Sequence, residues 1–112
     1  MCEQALDLNQ QLGNRHSEAN TWDSLGYIHH QLRDHQRAGD CYGNAIEIFD
    51  HIGDRYEAAQ TLVRIGDVFE DSAAVDAARE AWRAALSILE EMGHTDAAPV
   101  RIKLRRLLSH RA

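Results

Sequence analysis

Apolar residues recur along this chain at three- and four-residue steps, the spacing of a helix with one buried face. The clearest stretch covers residues 55–92. Ala58, Leu62, Ile65 and Phe69 form one stripe, and after a break near Glu70 to Ala73 a second stripe follows at Ala78, Trp82, Ala85 and Leu89. Gly53 supplies a left-handed stop for the preceding helix, Asp54 can cap the next, and Glu57 three residues on resembles a capping box. Extended to the whole chain, the pattern predicts helices at about 1–12, 15–33, 35–52, 55–71, 74–92 and 97–109, with no strand. Pro99 falls in the first turn of the last helix, where a missing N–H is harmless. Trp22, Leu25, Tyr42, Leu62, Ile65, Phe69 and Trp82 are the expected large core residues.

The stripes repeat every 40 residues. Ala5, Ala45 and Ala85 align, as do Gly13, Gly53 and Gly93, and apolar character persists at Leu8/Ile48/Ile88 and Leu12/Ile52/Met92. Gly26 and Gly66 also coincide, each in mid-helix, where glycine costs about 1 kcal/mol relative to alanine. That cost points to close helix approach. A fixed period of this length means stacked helical hairpins, each burying its apolar face against its neighbours.

Composition narrows the class. Sixteen Ala and eleven Leu, with a single Pro, favour an all-α domain. No apolar run approaches the length of a membrane span, and the first residues lack the basic flank and apolar stretch of a signal peptide, so a cytoplasmic protein is expected. Cys2 and Cys41 have neither a disulfide framework nor CxxC spacing. Eleven Arg against one Lys, with abundant Ala, suggests a GC-rich bacterial genome. Residues 97–112 carry Arg101, Lys103, Arg105, Arg106 and Arg111 with no acid, while the formal net charge is −6. The rest of the chain is therefore strongly acidic, which disfavours nucleic acid and suits a basic helix that pairs with acidic repeats.

The repeated positions resemble the tetratricopeptide repeat. Its pattern reads Trp22, Leu25-Gly26, His29, Ala38, Tyr42, Ala45 in one copy and Leu62, Ile65-Gly66, Phe69, Ala78, Trp82, Ala85 in the next. His29 departs from the usual large aromatic, and Asp50 and Glu90 stand where the family has its closing Pro. The Gly13-Asn14-Arg15 and Gly53-Asp54-Arg55 elements are similar to the longer repeats of kinesin light chains, Pins-type adaptors and bacterial signal-transduction and antibiotic-pathway regulators. The resemblance implies a right-handed α-α superhelix with a half-repeat at 1–12, repeats at 15–52 and 55–92, and a degenerate or capping helix at 97–109. It also implies a non-catalytic protein-binding segment of a larger regulator.

The same resemblance places the concave face at Asn20, Asp23, Tyr27, His30 and Gln31 in one repeat and Gln60, Val63, Arg64, Asp67, Glu70 and Asp71 in the next. The excess of carboxylates suits a basic or amphipathic helical ligand, with Tyr27 and Val63 for apolar contact. No cofactor is expected: the glycines do not form a phosphate loop, His30, Asp34 and His35 lack a full metal-ligand set, and Ser17, Ser24, Ser72 and Cys41 have no base and orienting partner. Neither a small-molecule substrate nor a membrane is expected. The alternative reading is a self-assembly or autoinhibitory module, in which Ala5, Leu8 and Leu12 at one end meet Ile102, Leu104, Leu107 and Leu108 at the other, head to tail.

Overall fold

A computed structural model describes the backbone of residues 2–111 and the side chains of residues 13–107. The chain folds as five helices, α1 (Cys2–Gln31), α2 (His35–Ile52), α3 (Arg55–Asp71), α4 (Val75–Glu91) and α5 (Ala97–Arg111), with no strand among the described residues. α2 packs between α1 and α3, and α4 between α3 and α5. The first-type helices α1, α3 and α5 alternate with the second-type helices α2 and α4, giving the expected stack of antiparallel hairpins.

Each turn is made by a local signal. The Asp54 side chain accepts a hydrogen bond from the Glu57 backbone N–H at 3.1 Å, and Asp34 does the same for Arg37 at 3.2 Å. Gly53 and Gly93 end α2 and α4 at φ 80° and 63°. Between the two helices of each repeat the left-handed position is held instead by Arg33 (φ 63°) and Ala73 (φ 66°), residues that carry a Cβ into a region it disfavours.

The core runs along the second-type helices. Ala45, Ile48 and Phe49 of α2 meet Ala19 and Ala58, Tyr42 packs with Ile65 and Val68, and Trp82 and Leu89 of α4 meet Ala59, Ala97, Val100 and Leu107. Tyr42 and Trp82 are buried as expected, and the glycines explain how. A Cβ on Gly26 would stand 2.7 Å from the Tyr42 ring, and one on Gly66 would overlap the Trp82 indole.

Three expectations are corrected. The break near residues 13–14 is absent: α1 runs unbroken from Cys2 to Gln31, and Gly13 has no left-handed φ. Of the expected core residues, Trp22, Leu62, Ile65 and Phe69 are only half-buried, and Leu25 is 36% exposed on the side of α1 that corresponds to the side of α3 covered by α2. The last helix is also out of the 40-residue register. Ala97, Val100, Leu104 and Leu107 take the places of Ala58, Thr61, Ile65 and Val68, one residue early, which turns Leu104 and Leu107 toward α4 and leaves Ile102 62% exposed.

Candidate protein-binding groove

On a helix of 3.6 residues per turn, Asn20, Asp23, Tyr27, His30 and Gln31 fall on one arc of α1, and Gln60, Val63, Arg64, Asp67, Glu70 and Asp71 on the corresponding arc of α3. Hydrogen bonds across successive first-type helices tie these arcs together. Arg64 donates to Asp23 Oδ1 at 3.0 Å, and His30 Nε2 lies 2.6 Å from Asp71 Oδ2. Gln60 donates to Asp96 Oδ2 at 2.8 Å, as does the Tyr56 hydroxyl. Lys103 Nζ reaches Asp67 Oδ1 at 3.0 Å, and Arg106 reaches both Glu70 oxygens at 3.2 Å.

This arrangement changes the electrostatics of the face. Asp23, Asp67, Glu70 and Asp71, the four carboxylates expected to attract a cation, each hold a partner from a neighbouring helix. α5 itself supplies two of those partners, and its Arg101 bridges Glu90 at 2.8 Å, so the basic helix pairs with the acidic repeats. The sequence signal for Lys103 and Arg106 was the acid-free run at 97–112; nothing in it specified which carboxylates they would meet.

What remains open lies on α1. Tyr27 is 59% exposed, Asn20, Ser24 and Gln31 are exposed, and a hollow of about 510 Å³ is lined by Asp23, Ser24, Tyr27, Ile28 and Arg64. Val63 is half-buried against the α4 and α5 core, and its backbone carbonyl accepts the Trp82 indole N–H. A second hollow of about 210 Å³ between α3 and α5 is bordered by Gln60, Val63, Asp96 and Lys103. A depression of about 670 Å³ follows the edge where Gly13, His16, Gly53, Tyr56 and Met92 come together, one helical turn before Asn20 on α1.

Three titratable groups among the described residues are shifted by their surroundings. Burial, reinforced by Asp40, pushes the Cys41 thiol above its ordinary pKa, the opposite of an activated nucleophile. Burial and then the nearby Asp23 carboxylate push Tyr42 up to about 12. The hydrogen bond to Asp96 raises Tyr56. Among the described residues no group of three or more His, Cys, Asp or Glu is placed to hold a metal ion.

Comparison with known proteins follows the same lines. The family model of the tetratricopeptide repeat matches residues 17–91. Among solved structures, the chain is similar to the crystal structure of BtubC (BKLC) from P. vanneervenii, with 25% identity and a TM-score of 0.77. The alignment covers 96% of this chain and 46% of BtubC, so the chain spans about half the length of that protein. No curated protein matches the sequence.

Proposed function

The chain belongs to the tetratricopeptide repeat family, whose members serve as protein-protein interaction modules, and on that premise we propose that it is a non-catalytic segment binding a protein or peptide along the face shared by α1 and α3. The observation that carries this reading is Tyr27. A large aromatic, 59% exposed beside Ser24, Ile28 and the Asp23–Arg64 pair, is the kind of residue that anchors an interface when a partner covers it. The ligand is an amphipathic helix: its apolar side covers Tyr27, and its basic side runs toward Asp67 and Glu70, where it competes with Lys103 and Arg106. The parent is a larger cytoplasmic bacterial regulator of transcription or signalling. Its supports are the long-repeat form, the Arg-rich composition and the absence, among the described residues, of a helix long and apolar enough to cross a membrane.

A displayed library of helical peptides, selected on the intact chain, tests the site. Recovered peptides are expected to combine apolar residues at i, i+3 and i+4 with Lys or Arg, and to lose binding about tenfold or more on Tyr27→Ala with the melting temperature unchanged. Peptides that bind equally well to the Tyr27→Ala chain would place the ligand elsewhere.

A further inference from the structure

The inner side of α5 borders a hollow that the Tyr27 site does not use. Of the residues expected to meet head to tail, Ala5, Leu8, Leu12 and Leu108 have side chains outside the described residues, while Leu104 and Leu107 pack toward α4. What α5 leaves open lies between it and α3. Gln60 and Val63 form one wall of a space of about 210 Å³, Pro99, Val100 and Lys103 form the other, and Leu89 of α4 forms the floor. First-type helices make the walls and a second-type helix the floor, so the hollow opens away from α4, onto the face that bears Tyr27.

Comparison of the two joints between first-type helices shows why the space exists. Forty residues earlier, Leu89 and Val63 correspond to Phe49 and Asp23; in the one-residue-early register of α5, Val100 and Lys103 correspond to Thr61 and Arg64. Those four earlier residues fill the joint between α1 and α3. Phe49 is fully buried in a cluster with Ala19 and Ala58, Arg64 donates to Asp23 Oδ1 at 3.0 Å, and the Thr61 hydroxyl reaches the same oxygen at 3.4 Å. Between α3 and α5 a leucine replaces the phenylalanine ring, and two valines cannot bond across the joint as Asp23 and Thr61 do. Lys103 is drawn off to Asp67, 3.0 Å away, with its ammonium 5.4 Å from the centre of the Trp82 ring. The result is a recess with apolar walls and a polar mouth, where Gln60 donates to Asp96 at 2.8 Å.

We propose that this recess is a second subsite for the amphipathic helical ligand, on which reading it rests, and that it takes one apolar side chain of leucine size. Pockets for drug-sized molecules begin at about 300 Å³, so a space of about 210 Å³ suits a single side chain rather than a free small molecule. Its distance from Tyr27 fixes where that side chain stands in the ligand. Packed helix axes lie about 8–10 Å apart, and Val63 stands one turn before Asp67, the register partner of Tyr27, so the two subsites are about 10 Å apart. A helical ligand spans that distance in about seven residues. With apolar side chains at i and i+7 it crosses α3 and carries its basic side past Asp67 and Glu70.

The probes are the helical peptides selected on the intact chain, alanine-scanned and then remade with Ala, Leu or Phe at each anchor the scan finds; fluorescence anisotropy reads their affinities. At the second anchor, Leu is expected to bind the parent chain at least about tenfold more tightly than Ala. Leu89→Phe, which restores the ring found at Phe49, is expected to abolish that advantage while leaving the Ala peptide within about twofold. Val63→Ala widens the recess without removing the backbone carbonyl that accepts the Trp82 indole N–H, and is expected to reverse the preference from Leu to Phe. It keeps the test decisive if Leu89→Phe does not fold. Peptides that need Tyr27 but rank Ala, Leu and Phe alike on the parent and both variants overturn the second subsite and leave the Tyr27 site standing. Peptides whose second anchor responds to Leu89→Phe and Val63→Ala, yet which ignore Tyr27→Ala, support the recess and overturn Tyr27 as the first anchor.

Discussion

Trp82 donates its indole N–H to the backbone carbonyl of Val63 at 3.1 Å, and the ring lies against α3 because residue 66 has no side chain. Gly66→Ala should therefore destabilise the fold by about 1–3 kcal/mol, although alanine is the better helix former by about 1 kcal/mol, because the added methyl overlaps the indole. Trp82→Ala should cost about 3–5 kcal/mol as a large-to-small core change. Urea unfolding measures both. A Gly66→Ala chain more stable than its parent would mean the ring can move aside freely.

Arg33 and Ala73 occupy left-handed turns that glycine fills at Gly53 and Gly93. Replacing Ala73 by Gly should stabilise the chain by about 0.5–1 kcal/mol, the relief of Cβ strain outweighing the added freedom of the unfolded chain. Gly53→Ala should act in the opposite direction. Thermal melts of the two variants side by side decide the point, and a lowered melting temperature for Ala73→Gly would refute it.

Tyr42 ties stability to alkaline pH. Its folded pKa is raised from 10 to about 12, so between those values the folded chain keeps a proton that the unfolded chain has lost. The stabilisation is complete below about pH 10 and declines as pH rises toward 12. Denaturation midpoints should fall across that window in the parent and fall less steeply in Tyr42→Phe. Superimposable profiles would show that the phenol is not held protonated by the fold.

The ion pairs that α5 makes among the described residues should not contribute equally. Lys103 meets Asp67 at 3.0 Å and stands 5.4 Å over the Trp82 ring, with its side chain 28% exposed, whereas Arg106 pairs with Glu70 while 49% exposed. Lys103→Ala should loosen α5 by about 1 kcal/mol and Arg106→Ala by less than about 0.5 kcal/mol. Amide exchange along residues 97–107 reads out the difference. Equal protection in the two variants would remove the role assigned to the indole.

Most of the fold was legible in the sequence because its determinants are local or periodic. The 40-residue spacing, the Asp54 cap and the glycines that make room for Tyr42 and Trp82 all act within one helix or one repeat. The path of α1 was not legible in the same way. Gly13 permits either a turn or a straight helix, and a period that aligns it with the left-handed Gly53 and Gly93 does not say which of the two it takes. The groove divides along the same line. Residue spacing placed Asp23, Asp67, Glu70 and Asp71 on first-type helices, yet their pairing with Arg64, Lys103, Arg106 and His30 arises only when helices about forty residues apart in the chain lie side by side. The one-residue shift of α5 was decided by the same packing: burying Ala97, Val100, Leu104 and Leu107 against α4 outweighs keeping the register of the repeat, since apolar area removed from water is worth about 25 cal/mol per Å².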